Sequence, residues 1–379
     1  MRSRYDYGRR RLRRFVLGIA VLGFLGIALN WAYEHRPVPR TGSHAVASST
    51  PFRIGRIPRS YYAEFEVDTR AGKRVVNVEK TWVRRPFESR IETWSGRKRL
   101  SVRQSAFGAF ANFNPNSTPL SIAVPPSLGS GDLRVDIALD EALRRHVIVK
   151  REKRSVYGRI CQTYRAGGPV SAGDLTRYNP KSGEYADFCV DRDGIVIEEW
   201  WVRGNKLLRR RVATKVRVGK VDVKLFAITT PPAEGIDKGT IAEVPDGASK
   251  QKLWTIPAPP KGFVRLGRFF VALPTAATPN PGPDLGETTP VSSLTDVYTD
   301  GPDLFVIDQG AGLSGPAAAE NRPSFHVTIP GLSHAVLIVD ARENEIRADT
   351  PDGSFVRIAG TLRPSRLLAI ARELRLTDG

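Results

Sequence analysis

Residues that usually carry catalysis or hold metal ions are scarce in this chain. Its 379 residues include 2 cysteines, 5 histidines and 1 methionine. The histidines do not follow a metal-ligand pattern such as His-Glu-x-x-His. The glycines form no phosphate-binding loop, and the residues around Ser314 do not make a Gly-x-Ser-x-Gly turn. The sequence therefore predicts no metal site, no cofactor and no enzymatic activity.

Positive charge, in contrast, is abundant. The chain has 58 Lys and Arg against 39 Asp and Glu, a net charge of +19. Such a chain suits anionic partners, which include lipid headgroups, cell-wall polyanions and nucleic acid. The compartment predicted from the N-terminal sequence then excludes nucleic acid.

The N-terminal sequence has the features of a membrane anchor. Residues 1–14 form a basic segment with seven arginines and one aspartate, and residues 15–33 carry no formal charge. Nineteen helical residues span about 28 Å, close to the thickness of the bilayer hydrocarbon. The positive-inside rule keeps residues 1–14 in the cytoplasm. We predict a single-pass anchor at 15–33 in the cell (inner) membrane, a stalk at 34–58, and the bulk of the chain outside the cytoplasm.

A cleaved signal peptide is the alternative interpretation of this segment. The nearest small-x-small triplet, Ala45-Val46-Ala47, lies well beyond the apolar run, which favours a retained anchor. A twin-arginine export signal through Arg13-Arg14 is a further alternative.

The cysteines fit the predicted compartment. Cys161 and Cys189 are too few for a structural zinc site, which usually has four protein ligands. Outside the cytoplasm two cysteines can form a disulfide, and the alternative is a pair of buried free thiols. We predict the disulfide.

Strand-like alternation begins at Tyr61. In residues 61–68, YYAEFEVD, apolar and polar side chains alternate, and similar runs follow at 74–82, 87–94 and 99–103. A two-residue repeat of apolar and polar side chains, which gives the strand one polar face, is typical of antiparallel strands with one solvated side. We predict a mostly β (α+β) fold. Helical spacing is limited to residues 136–146 and to a final helix that begins near Pro364.

Changes in composition divide the chain into domains. We predict a large β domain at 59–228, a linker rich in turn residues at 229–260, and a smaller C-terminal α+β domain at 261–379.

The segment 187–216 combines tryptophans with a block of arginines. Its turn residues separate three strand-like runs. Glu198 and Glu199 would then be cross-strand neighbours of Arg209–Arg211. We interpret the segment as sheet, without special chemistry.

A curved sheet covered by a helix can enclose an apolar ligand cavity. Its alternative is an ordinary filled core, and the phenylalanine-containing loop after position 105 is either a lid or a loop packed on that core. The candidate lining residues are Phe65, Val67, Val76, Val78, Trp82, Ile91, Leu100, Val102, Phe107 and Phe110.

Several segments resemble the MucB/RseB family of extracytoplasmic sigma-factor regulators. In the large domain they are SVYGRICQTYR at 155–165 and the segment 184–216; in the small domain they are DVYTDGPDLFVIDQ at 296–309 and GTLRPSRLLAIAREL at 360–374. The large domain of that family is similar to the lipoprotein carriers LolA and LolB. The resemblance implies a LolA-like antiparallel half-barrel that holds a lipid or acyl chain. It also implies a small domain that contacts a protein partner, in that family an anti-sigma factor.

We therefore expect a membrane-anchored regulator or sensor that binds a lipid-like ligand and a protein partner. Two alternatives remain open at this point. One is a lipid or lipoprotein carrier at the outer face of the membrane, and the other is a cell-envelope scaffold that binds anionic wall polymers.

Overall fold

The structure, a computed structural model, describes residues 43–45, 51–114, 120–123, 132–228, 239–248, 252–272, 292–310 and 322–378. The predicted basic segment and membrane anchor, residues 1–33, lie outside the described residues. Among the residues that are described, no helix has the length and apolar character needed to cross a membrane.

A large antiparallel sheet occupies the first part of the chain. Its strands are β1 (Ser43–Ala45), β2 (Ser60–Thr69), β3 (Val75–Arg84), β4 (Glu88–Ser95), β5 (Lys98–Ala106), β6 (Ala109–Phe113), β7 (Leu120–Ala123), β8 (Val149–Val156), β9 (Arg159–Ala166), β10 (Glu184–Asp191), β11 (Val196–Arg203) and β12 (Lys206–Val218). Their order in the sheet is β1-β8-β9-β10-β11-β12-β2-β3-β4-β5-β6-β7. The pairing of β12 with β2 joins two groups of consecutive strands into one sheet, with β1 and β7 at its ends.

A second antiparallel sheet follows. It contains β13 (Thr240–Glu243), β15 (Val264–Ala272), β16 (Ser292–Thr299), β17 (Leu304–Gly310), β18 (Ser324–His326), β19 (Ser333–Ile338), β20 (Asn344–Asp349) and β21 (Phe355–Gly360). Their order is β13-β15-β16-β17-β21-β20-β19-β18, and β14 (Lys252–Thr255) pairs separately with β22 (Arg375–Asp378). The helices are α1 (Val135–Arg144) and α2 (Pro364–Arg372), with 3-10 turns at Val170–Ala172 and Val223–Phe226.

The mostly β fold and the two helices predicted from the sequence are confirmed. Three details differ from the prediction. The segment after position 105, predicted as a loop, contains β6 and β7. The stretch predicted as a linker contains β13 and β14, which pair with strands distant in sequence. The final helix, predicted over residues 363–376, ends at Arg372, and the residues after Leu374 form β22 on β14. Local composition cannot show either pairing, because the partner strand is supplied by another part of the chain.

Helix α1 lies between the two sheets. Val135, Ala138, Leu139 and Ala142 are buried and follow the i, i+3, i+4, i+7 spacing of an apolar helix face. They pack in a cluster with residues of the large sheet, such as Phe188, of the second sheet and of α2. Residues from both predicted domains therefore share one hydrophobic core, and residues 44–379 form one compact unit.

A second contact joins the two sheets on another face. Phe87 and Phe107 come from turns of the large sheet, and Phe107 packs edge-on against Phe269 of β15 at a centroid distance of 5.1 Å. Both phenylalanines pack on a buried cluster of the second sheet that includes Val306. Phe107 therefore belongs to the contact between the sheets.

The predicted disulfide is present. Cys161 on β9 and Cys189 on β10 are bonded, with their Cα atoms 5.5 Å apart. Both residues are buried in a cluster on the large sheet.

Candidate functional site

A pocket lies where one face of the large sheet meets a turn of the second sheet. Its cavity volume is about 60 Å³, and the pocket is partly open to solvent. That volume admits a few water molecules or one small polar group, and it is far below the several hundred Å³ of a site that buries a drug-sized ligand. The lining residues are Tyr61, Phe65, Glu79, Thr81, Ile91, Arg103, Leu133, Ser171, Ile195, Val196, Arg209, Arg211 and Arg342.

Two of the ten predicted cavity residues, Phe65 and Ile91, line this pocket. The strand register places Val67 on the same face of the sheet, opposite Asn77. Phe110 also shares that face, through its pairing with Ser105.

The other predicted residues lie elsewhere. Val76, Val78 and Trp82 pair with Asp68, Glu66 and Tyr62, on the opposite face from Phe65. Val102 pairs with Glu92 and lies on the opposite face of the sheet from Ile91. Leu100 lies at a bulge of β5, and Phe107 lies in the contact between the sheets.

Val76, Val78 and Trp82 lie away from the pocket because β3 presents its polar residues to it. Asn77, Glu79 and Thr81 share the face of Phe65 and Ile91. Alternation in β3 gives the period of the strand, but its apolar residues mark the face away from the pocket. The predicted residues Val76, Val78 and Trp82 therefore lie on the face of β3 that is turned away from this pocket.

Two arginines of β12 are held on the pocket face by carboxylates. Arg211 donates from Nε and Nη2 to Glu79 Oε1 at 3.0 and 2.7 Å. Its guanidinium carbon lies 3.3 Å from the centroid of the Phe65 ring, a cation–π contact. Arg209 donates to Glu199 at 3.2 Å, and the same carboxylate accepts from the backbone N–H of Ser171 at 3.0 Å.

The sequence interpretation missed these two arginines. It predicted that Glu198 and Glu199 neighbour the arginine block, and this is confirmed by ion pairs of Arg210 with Glu198 and of Arg209 with Glu199. The overlooked signal is the alternation within the block, because residues two apart on a strand share a face. Arg209 and Arg211 therefore line the pocket, while Arg210 is directed to the other face.

Arg342 reaches the pocket from the turn between β19 and β20. Its backbone N–H donates to Asp340 Oδ1 at 3.0 Å. The turn is also fixed by Asn344, whose amide donates to the carbonyl of Leu362 at 2.8 Å. The Arg342 side chain passes over Gly173, where an added Cβ would lie 2.9 Å from Arg342 Nε.

The electrostatics of the pocket are dominated by its arginines. Burial raises the pKa of Glu79, but Arg211, with Arg209 and Arg103, outweighs burial and holds that pKa below its usual value. Burial lowers the pKa of Arg209, and that effect exceeds the opposing one of Glu199. The pKa of Arg342 is lowered by burial and then by Arg103.

Next to Arg342, Glu343 is a buried acid. It accepts from Arg357 Nη2 at 2.7 Å, and its other oxygen is buried and has no hydrogen-bond partner among the described residues. Burial raises the pKa of Glu343 to about 8, a larger effect than the opposing one of Arg357. Burial similarly raises the pKa of Asp340 to about 6.

We expect Glu343 to make stability fall as pH rises. Because its pKa in the folded protein is above its unfolded value, the folded state binds the extra proton, and this stabilisation is lost as pH approaches 8. Between about pH 6.5 and about pH 8, the wild type should lose about 1–2 kcal/mol relative to Glu343→Gln. Urea unfolding of both proteins across this range measures the difference. Parallel pH profiles would contradict the prediction.

No group of three or more His, Cys, Asp and Glu suited to a metal ion occurs among the residues that the structure describes.

No family model matches the chain, and no curated protein matches it. Among solved structures, the chain is similar to the complex of Pseudomonas aeruginosa MucA and MucB, with 15% identity, coverage of 84% of this chain and 94% of that chain, and a TM-score of 0.33. A crystal structure of MucB is 15% identical to this chain, with coverage of 84% of this chain and 93% of that chain, and a TM-score of 0.28. A LolA superfamily protein from Nitrosomonas europaea is 11% identical over 45% of this chain and 92% of its own, with a TM-score of 0.22. The solved structures named here are MucB and LolA superfamily proteins, which belong to the families that the sequence motifs resemble.

Proposed function

We propose that this protein is a membrane-anchored extracytoplasmic regulator. It binds a lipid-like ligand at the pocket of the large sheet and a protein partner through the second sheet. It acts by binding, without making or breaking covalent bonds. In the MucB/RseB resemblance the corresponding partner is an anti-sigma factor, and we extend that partner class to this chain.

The observation that carries this proposal is the composition of the pocket wall. Arg342 belongs to the second sheet, whereas Phe65, Ile91 and Arg211 belong to the large sheet. A ligand in the pocket touches both parts, so its binding free energy can depend on the state of the partner-binding part. A carrier needs only the large sheet, and a wall-binding scaffold needs no pocket.

The pocket volume limits how the ligand binds. About 60 Å³ accommodates a polar headgroup but not an acyl chain. In our proposal the polar end of the ligand enters the pocket and its apolar part stays outside it.

A pair of matched variants tests the ligand. Ile91→Tyr places a larger side chain into the pocket, whereas Val76→Tyr adds the same group on the opposite face, where Val76 is 44% exposed. We expect native mass spectrometry of residues 40–379, prepared without detergent, to find a co-purified ligand on wild type and Val76→Tyr. We expect Ile91→Tyr to lose it.

Affinity capture from cell envelopes with the same three proteins tests the partner. Wild type and Val76→Tyr should recover one envelope protein to the same extent, and Ile91→Tyr should recover a different amount. If no ligand accompanies the wild type, or if all three proteins capture the partner equally, the proposal is wrong.

A further inference from the structure

The pocket carries more positive than negative charge. Glu79 is bound by Arg211, and Glu199 is bound by Arg209. Arg103 and Arg342 also line the pocket, and within the described part of the chain neither has a carboxylate oxygen within 4.0 Å. Two guanidinium groups at the pocket therefore lack a directly bound counter-charge.

Arg342 is the less solvated of the two. Its Nε atom is buried and has no hydrogen-bond partner among the described residues. Burial and the nearby Arg103 both disfavour its charged form. The Arg342 side chain is partly buried, and a bound anion would give its buried Nε atom the hydrogen-bond partner that it lacks among the described residues.

The surroundings of Arg342 keep this side chain in place. Gly173 has φ +116°, and any side chain there would meet the guanidinium group. The hydrogen bonds of Asp340 and Asn344 hold the turn from which Arg342 extends. The arginine is therefore positioned at the pocket in advance of any ligand.

We propose that the pocket is an anion site, in which a phosphate or another small oxyanion is bound between Arg103 of the large sheet and Arg342 of the second sheet. Guanidinium groups suit this role because they give charge-assisted, bidentate hydrogen bonds to oxyanions. The volume of about 60 Å³ fits one such group. The inference rests on the proposed function in that the pocket binds a ligand, and it is independent of the protein partner.

The test uses the full chain in a non-ionic maltoside detergent, in a phosphate-free buffer of constant ionic strength. Inorganic phosphate and hexyl phosphate are titrated calorimetrically, with hexanol as the uncharged control. We expect both phosphates to bind and hexanol not to bind. Tighter binding of hexyl phosphate identifies a lipid headgroup as the source of the anion, and equal affinities identify a free anion; both support the anion site.

Arg103→Gln and Arg342→Gln should each weaken phosphate binding by about tenfold or more, the effect of one lost charge-assisted hydrogen bond. The matched control is Arg372→Gln, which removes the same charge from the exposed surface of α2. Because Arg342 is unpaired, Arg342→Gln should unfold at the same temperature as wild type or higher. Phosphate should raise the unfolding temperature of wild type and Arg372→Gln but not that of Arg342→Gln.

Two outcomes would overturn the anion site. One is the absence of any heat or thermal shift with either phosphate at about 10 mM, a concentration about tenfold above the dissociation constant of a weak, 1 mM site. The other is equal phosphate affinity in the two pocket variants and in Arg372→Gln. Phosphate binding that depends on Arg103 and Arg342, combined with partner capture that ignores the pocket, would support the anion site while refuting the regulatory function.

Discussion

Replacing Arg357 by methionine should destabilise the protein by about 3–5 kcal/mol at neutral pH, because it removes one side of a buried charge network. Arg357 on β21 donates to Asp308 at 2.5 Å, to Glu343 at 2.7 Å and to Glu345 at 2.9 Å. All three carboxylates are buried. Methionine fills a similar volume, so the loss reports the removal of this arginine from the carboxylates of Asp308 and Glu345, and the lost hydrogen bond to Glu343, and not an empty space.

Urea unfolding followed by tryptophan fluorescence measures this loss. The matched control is Arg372→Met, an exposed position on α2, which we expect to stay within about 0.5 kcal/mol of wild type. A loss below about 1 kcal/mol for Arg357→Met would show that the network contributes no more than a surface ion pair.

Removing the disulfide is the second change with a large expected effect. The double variant Cys161→Ala, Cys189→Ala should lose about 2–5 kcal/mol, because the bond closes a loop between residues 28 apart and both residues are buried. The two substituted sites lie on adjacent strands, so the native pairing of β9 with β10 should persist.

Comparison with the reduced wild type checks the cause of this loss. Reduction removes the bond but keeps both sulfur atoms. The unfolding midpoint of the reduced wild type should therefore fall almost as far as that of the double variant. An unchanged midpoint after complete reduction would contradict the prediction.

Local patterns in the sequence predict much of the fold. The spacing of Ile137, Leu139, Ala142 and Leu143 predicts α1, and alternation predicts most strands. The disulfide is predicted from the expected extracytoplasmic compartment and the cysteine count, and the Glu198 and Glu199 contacts are predicted from hairpin pairing. These features depend on residues that are close in sequence or on chemistry that few residues can supply.

The pocket could not be predicted in the same way. A ligand cavity is expected to have apolar walls, but the β3 wall of this pocket is polar. Glu79 and Thr81 lie on the pocket face, and Val76 and Val78 lie on the opposite face. Arg342 comes from a turn far along the chain, and nothing near it in sequence indicates that it meets Arg103. Such a site is fixed by the packing of the second sheet on the large one through α1, which is a tertiary property.

The shared core restricts how this molecule can change shape. Opening the two sheets like a hinge would bring α1 and buried residues such as Phe305 and Leu367 into water. Because exposing apolar surface costs about 25 cal/mol per Å², such an opening has a large unfavourable free energy. A ligand bound to Arg342 can instead stabilise the turn of residues 340–344 in place, without separating the two sheets. Ligand-dependent differences in amide hydrogen exchange should therefore concentrate in that turn and leave the α1 core protected.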